Sequence, residues 1–372
     1  MSADVLSPRA LNRATLARQL LLERSDGSVL ATVEQLVGMQ AQIPHDPYLG
    51  LWSRLDGFAP EELSRLLLDR AVVRIVVMRA TIHLVSVDDC LTLRPLMQPV
   101  LDAELRRHPQ YGPPLRGVDM EPVLASARTL LAQAPRTGTQ LRAALAERFP
   151  QHDAAALAYA CRNLLAFVQV PPRGVWGKTL QVTSTTAEAW LGRPLDPAPS
   201  IDDVVLRYLG AFGPATVADI ASWSRLTGMR AVVDRLRPRL RTFADERGRE
   251  LLDLPDAPRP DADVPAPPRF LPEYDNVLLS HADRARFFSP EQRGRLGSGG
   301  HAIRGTLLVD GVGRATWRIE RSGRDAATLL VDHVDAFAAD EAEAIVGEGA
   351  RMLRLLEPRR SSFDVRLAPV DR

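Results

Sequence analysis

Apolar positions fall at helical spacing through the first part of the chain and then switch to the two-residue alternation of strands. Residues 7–24 carry Leu11, Leu16, Leu20 and Leu21 on one side of a helical pattern. Ser28 is placed to cap a second helix over about 29–39, whose apolar face holds Leu30, Val33, Leu36 and Val37. Pro60 opens a third helix, 60–68, with Glu61 and Glu62 in the first turn, where acids suit the helix dipole. Two β-rich runs follow, 72–78 and 81–87. Helices followed by a two-stranded wing have the layout of a winged helix-turn-helix.

The layout recurs. Residues 120–133 read as helix, Thr137 or Thr139 caps 140–149, and Asp153 caps 154–166. A strand at 167–170, the turn Pro171-Pro172-Arg173-Gly174-Val175-Trp176-Gly177 and a strand at 179–183 complete this second unit. A third has helices marked by Ile201, Val204, Val205 and Tyr208, then 216–223 and 229–236, with wing strands at 240–244 and 250–254. The repeat is one of architecture, not of sequence. Residues 255–268, rich in Pro, Asp and Ala, read as an extended linker. After a packed loop at Phe270-Leu271-Pro272-Glu273-Tyr274-Asp275-Asn276 come strands at 302–310, 313–320 and 327–334, the first two joined through Asp310-Gly311. A helix at 340–356 and a strand at 362–367 close the chain. The expected class is α+β. Three tandem winged helix-turn-helix units span 1–115, 116–200 and 201–256, and a linker with a small β-rich, barrel-like domain spans 257–372.

Composition sharpens this only at a few points. A chain of 372 residues is too long for one small core. With 47 Lys+Arg against 46 Asp+Glu the net charge is +1, so bulk charge does not announce a nucleic-acid binder, though a local basic face remains open. Lys178 is the only lysine, leaving Schiff-base chemistry a single candidate. Cys90 and Cys161 lie far apart with no Cys or His at metal-ligand spacing and read as buried, reduced thiols. Residues 1–9 hold no apolar signal region, and no apolar run approaches the roughly 20 residues of a membrane span. These features predict a soluble cytoplasmic monomer with no metal, cofactor or membrane partner.

The candidate chemistry lies in Gly38-Met39-Gln40-Ala41-Gln42. Pro44 and Pro47 argue against continued helix beyond it, so Gln40 and Gln42 are expected where a helix gives way to extended chain. Alternate residues of an extended segment point the same way. Each amide offers an acceptor and a donor without charge, and together they can hold a water or a sugar and base. Spacing alone leaves ordinary capping of a helix end as the simpler reading.

Several motifs carry a resemblance. They are Gly38-Met39-Gln40-Ala41-Gln42, Gly50-Leu51-Trp52-Ser53-Arg54, Met78-Arg79-Ala80-Thr81-Ile82-His83-Leu84-Val85, Pro172-Arg173-Gly174-Val175-Trp176-Gly177, Ala211-Phe212-Gly213-Pro214-Ala215-Thr216 and Phe270-Leu271-Pro272-Glu273-Tyr274-Asp275-Asn276. Through them nearly the whole chain resembles the tandem winged-helix DNA glycosylases, the AlkZ and YcaQ-like proteins. The resemblance implies three winged-helix units and a C-terminal β domain around a DNA cleft. It also implies excision of N7-alkylguanine, including bulky adducts and interstrand cross-links, from double-stranded DNA. Gln at the second motif position, Gln42, is similar to the AlkZ branch rather than the Gln–apolar–Asp branch, and makes Gln40 and Gln42 the implied catalytic pair. Some members protect producers of DNA-alkylating natural products. The rival reading is a non-enzymatic winged-helix regulator, expected to bind a specific duplex sequence as a dimer.

Further candidates for contact with substrate or DNA are Arg54, Arg79, His83, Arg173, Trp176, Lys178, His281 and Arg284. For each a structural role is the competing reading: an ion pair for Arg54, a satisfied core imidazole for His83, a turn packed by its own Trp176. Arg230 and Arg235 read first as a solvated helix face, and Glu273, Asp275 and Asn276 as a hydrogen-bonded loop. His301 and His333 read as structural. Gly297-Ser298-Gly299-Gly300 lacks the Lys-Ser/Thr ending of a phosphate loop.

Overall fold

The structure is a computed structural model that describes residues 4–297 and 304–370. His301 and most of the loop at 297–300 lie outside the described residues.

The predicted Ser28 cap forms, and Ser7 caps the first helix as well. The Ser7 and Ser28 hydroxyls accept from the backbone N–H groups of Ala10 (3.2 Å) and Ala31 (3.1 Å), starting the helices Pro8–Arg18 and Val29–Gln35. The second stops short of the expected residue 39, because Val37 and Gly38 both turn left-handed, at φ +54° and +83°. A Cβ at position 38 would meet Val85 Cγ1 at 2.7 Å and Leu84 O at 3.0 Å, so glycine is required for the chain to lie against the next strand. Gln40 accordingly sits in a short strand, Met39–Gln40, with His83 of Ile82–Ser86 directly opposite. Pro47, which was read only as ending the preceding helix, lies in the first turn of a new helix, Asp46–Trp52, where a missing N–H costs nothing.

The wings at 72–87 and 167–186 do not stand apart. One six-stranded antiparallel sheet runs in the order Met39–Gln40, Ile82–Ser86, Val72–Val76, Phe167–Gln169, Thr183–Thr186, Arg136–Thr137. The strand expected at 179–183 forms three or four residues later, at Thr183–Thr186. Helices Val87–Leu96 and Gln98–Arg107 add to the expected set. Helices Ile201–Phe212, Val217–Ser224 and Met229–Leu236 and the hairpin Arg241–Asp245/Glu250–Asp253 occupy their predicted places. Val5–Leu6 adds a parallel strand to that hairpin.

The C-terminal strands form an open sheet of five, in the order Arg269–Leu271, Gly305–Val309, Val312–Ser322, Ala326–His333, Ser362–Pro369. The two outer strands do not pair with each other, so the barrel-like expectation is corrected to an open sheet. Its exposed apolar face is covered by helix Ala339–Leu356, whose Ile345, Met352 and Leu353 pack on Leu329 and Val331. The strand-to-helix packing, not closure, buries this core.

Buried arginines tie the parts together. Arg18 forms a two-pronged pair with Asp253 (2.6 and 2.8 Å), and Gln19 donates to Ala211 O (2.7 Å), locking helix Pro8–Arg18 onto residues 201–253. Arg54, 1% exposed, forms a second two-pronged pair with Asp275 (2.8 Å on each prong) and donates to Gly50 O. That pair anchors the loop after Arg269–Leu271 against helix Asp46–Trp52. A buried charge left without its partner costs roughly 3–5 kcal/mol. Arg54→Met and Asp275→Asn should each lose about that much stability in chemical denaturation, and the double variant clearly less than the sum.

Candidate active site

Gln40 is 6% exposed and its side chain does not cap a helix. Its Oε1 accepts from Arg79 Nη2 at 2.8 Å. The same nitrogen reaches Asn276 Oδ1 at 2.9 Å and His83 Nε2 at 3.3 Å. Asn276 in turn donates to Gly38 O (3.1 Å), the residue that admits the Gln40 strand. The cluster therefore draws on three stretches far apart in sequence: 38–40, 79–83 and 275–276.

The protonation pattern of His83 follows from its contacts. Its Nδ1 lies 3.0 Å from Thr81 O, and a carbonyl only accepts, so Nδ1 carries the hydrogen and Nε2 presents a lone pair to Arg79. Complete burial, with the Arg79 charge, pushes the imidazole down to about 3. His83 is neutral throughout the physiological range and serves as an orienting acceptor. Arg79 is itself pushed down to about 10 by burial and by the charges of Arg225 and Arg284, and it stays a cation at neutral pH. The backbone that presents it is unusual: Arg79 and Ala80 both stand at φ +56°, a conformation that costs non-glycine residues about 1–3 kcal/mol each.

A small pocket opens beside Gln40, lined by Gln19, Gln40, Asp46, Arg54, Asp275 and Asn276 among others. Gln42 is exposed just past the strand, and Ala41 between the two glutamines is fully buried. Asp46, which the sequence reading passed over, opens helix Asp46–Trp52 at 9% exposure, and its Oδ2 has no hydrogen-bond partner among the described residues. Burial, and then the charges of Glu273 and Asp275, push this carboxyl up to about 8 against the opposing pull of Arg74. Around it, His45 Nε2, Arg74 Nη1 and Arg173 Nε are likewise buried and unpartnered among the described residues.

The other candidates divide. Arg79 and His83 join the Gln40 cluster, and Arg54 borders the pocket through its ion pair. Trp176 packs on Tyr48 (centroids 4.8 Å apart) and His45 (5.5 Å), while Tyr48 OH donates to Gly174 O at 2.7 Å. The turn is thus docked on helix Asp46–Trp52, with Arg173 half-buried and donating to Leu180 O (2.9 Å). Lys178 is exposed beyond that turn. His281 is 2% exposed, its Nε2 on Phe212 O (3.0 Å), and burial with the charge of Arg286 pushes it down to about 3. It is built into the core, not the surface. Arg284 is exposed, as is Arg225, a residue the sequence reading missed. Arg235 pairs with Asp202 and Arg230 with Glu250 on a solvated face. Among the described residues no group of His, Cys, Asp and Glu is placed to hold a metal ion, and no helix is long and apolar enough to cross a membrane.

The model of one protein family, described as DNA glycosylase AlkZ-like, matches residues 33–355. Among solved structures, the DNA glycosylase AlkZ of Streptomyces sahachiroi is similar in fold, with a TM-score of 0.77 at 21% identity, over 98% of this chain and 100% of that one. No curated protein matches the sequence.

The Asp46 carboxyl has a measurable signature in stability. A carboxyl raised in the folded state keeps a proton that the unfolded chain gives up, so wild-type stability falls as pH rises from about 4 to about 8. Asp46→Asn removes this term. The melting temperature of the variant relative to wild type should therefore climb across that window and level off above it.

Proposed function

We propose that this chain, which belongs to the AlkZ-like DNA glycosylase family, repairs double-stranded DNA by hydrolysing the N-glycosidic bond of N7-alkylguanine. Bulky adducts and interstrand cross-links fall within the reading. So does protection of a producer from its own DNA-alkylating product. The observation that carries it is the placement of Gln40: neutral, nearly buried, held by Arg79 and lining a small pocket with Asp46 and Asn276.

The chemistry suits that site. Hydrolysis of a glycosidic bond passes through an oxocarbenium-like transition state. N7-alkylguanine is already cationic, so its departure cancels a charge and needs no general acid. The enzyme needs a water held near C1′ and dipoles that tolerate positive charge on the sugar. Arg79 takes one lone pair of Gln40 Oε1 and fixes the amide plane, leaving the other lone pair and the NH2 group for water and sugar. Gln42, exposed two residues further on, is read as the second substrate contact. Positioning of this kind is worth up to roughly 7–11 kcal/mol in favourable cases. His83, neutral and fully engaged, contributes orientation only. The sole lysine lies outside the pocket-lining set, which supports a monofunctional enzyme without a Schiff base.

DNA contact is assigned to the face around Arg79. Arg225 and Arg284 are exposed, and their charges act on Arg79, which supports assigning them to this face. Arg173, Trp176 and Lys178, on the turn docked against helix Asp46–Trp52, are read as further contacts. We read the helical regions as three winged helix-turn-helix units over 1–115, 116–200 and 201–256, with 257–372 as linker and C-terminal sheet. The protein is read as a cytoplasmic monomer needing no cofactor.

Base release from a duplex with one N7-methylguanine, developed with heat or alkali, tests the reading. Gln40→Ala and Gln42→Ala should each slow release by at least about 100-fold, and a cross-linked duplex should be unhooked by wild type only. No release by wild type, with tight binding to undamaged duplex, would favour the regulator. Arg225→Ala and Arg284→Ala should weaken duplex binding and each lower the slope of log affinity against log salt by about 1.

A further inference from the structure

A cationic lesion and a cationic transition state are poorly served by the groups nearest Gln40. Arg79 is a fixed cation, and His83 is neutral. The water that attacks C1′ must also lose a proton, which the departing neutral base does not take up. A carboxylate is needed, and three stand near the pocket. Asp275 is compensated by both prongs of Arg54 and spends Oδ1 on Val277 N–H as well. Glu273 is half-exposed and does not line the pocket. Asp46 lines it beside Gln40, is nine-tenths buried, and holds an oxygen with no partner among the described residues.

We propose that Asp46 is a catalytic residue, meeting the cationic lesion as a carboxylate and accepting the proton shed by the attacking water. This rests on the glycosylase reading above. In the step, water oxygen bonds to C1′ as the C1′–N9 bond breaks. The electron pair of that bond goes to the purine and cancels its positive charge, and the water proton goes to Asp46. The products are an abasic sugar hydroxyl, a neutral alkylated base and a protonated Asp46.

The groups packed around Asp46 set when it ionises. Glu273 and Asp275 from the 269–278 segment oppose ionisation. Arg74, from strand Val72–Val76, favours it. His45 and Arg54 stand on the same helix or its ends. Arg173, on the docked turn, acts on His45 and Arg74. Without DNA the balance holds the carboxyl at about 8, so it is mostly protonated at neutral pH. An entering cation adds the missing counter-charge and expels the proton. An uncharged base gives no such gain, so Asp46 also discriminates for charge.

Single-turnover release from a duplex carrying one N7-methylguanine, followed from pH 6 to 9, tests the assignment for wild type, Asp46→Asn and Glu273→Gln. The titration of the substrate itself is common to all three proteins and cancels in rate ratios. At pH 8 the Asn variant should bind the duplex within a few-fold of wild type yet release base about 100-fold more slowly. The wild-type to Asn ratio at sub-saturating enzyme should rise about tenfold per pH unit toward a plateau near 8. At saturating enzyme the rise should lie at lower pH, because the bound cation favours the carboxylate. Glu273→Gln, which removes a neighbouring negative charge, should shift the sub-saturating rise to lower pH, and it serves even if the Asn variant folds poorly. A wild-type rate in Asp46→Asn, a pH-independent ratio, or a rise that Glu273→Gln leaves in place overturns the assignment. Failure of wild type to release base at any pH instead overturns the glycosylase reading.

Discussion

The site depends on the buried pair between Arg54 and Asp275. It fixes both the end of helix Asp46–Trp52 and the loop carrying Asn276, and both of its residues line the pocket. Through Asn276 it reaches Arg79, and through Arg79 it reaches Gln40. Asp275 is thereby neutralised by Arg54 as a ligand for anything else, while its charge still bears on Asp46. A buried ion pair of this kind adds little net stability over an apolar replacement. Its effect is geometric: it makes three remote segments share one arrangement.

Strain accompanies that arrangement. Val37 and Gly38 before the Gln40 strand, and Arg79 and Ala80 before its partner strand, are all left-handed. Three of the four carry side chains and each costs about 1–3 kcal/mol. The compensation is packing: Val37, Val77 and Met78 are fully buried in a core shared with Val204, Tyr208 and Trp223. The sheet register then holds Gln40 opposite His83. The cluster is preorganised before substrate arrives, so the amide of Gln40 does not have to be ordered at the moment of reaction.

Much of the fold was legible because local signals agree with one another. Ser28, Thr137 and Asp153 cap the helices their positions suggest. The Asp310-Gly311 hairpin forms as well. What was not legible depends on contacts remote in sequence. The joining of two wings into one sheet requires Arg74 to face Gln169, a pairing no local pattern encodes. Closure of the C-terminal strands depends on whether edges separated by about ninety residues meet, and they do not. Gln40, Arg79 and His83 were singled out from motifs as candidates, and the contacts that bring them together were not read. Asp46 was missed because Pro47 was read as a helix breaker when it occupies the first turn. A helix start there would have placed a carboxylate four residues after Gln42. Asn276 was read as part of a hydrogen-bonded loop, and its hydrogen bonds run to Arg79 and Gly38 of the Gln40 cluster.

The raised carboxyl of Asp46 acts in two directions that favour the same substrate. A carboxylic acid at about 8 is a far weaker acid than an ordinary aspartic acid. It is correspondingly poor at protonating N7 of intact guanine, the step that would turn a normal base into a leaving group. When a bound cation expels its proton, the carboxylate so formed is the base that takes a proton from water. An unperturbed aspartate in the pocket would be ionised with or without a lesion, and a catalytic imidazole at its ordinary value would lose on the first count. His83, pushed the other way by burial and Arg79, is removed from proton transfer altogether. On the proposed reading, the electrostatics of the site leave normal nucleotides without an acid and cationic lesions with a base, and the two neutral amides serve a reaction whose substrate brings its own positive charge.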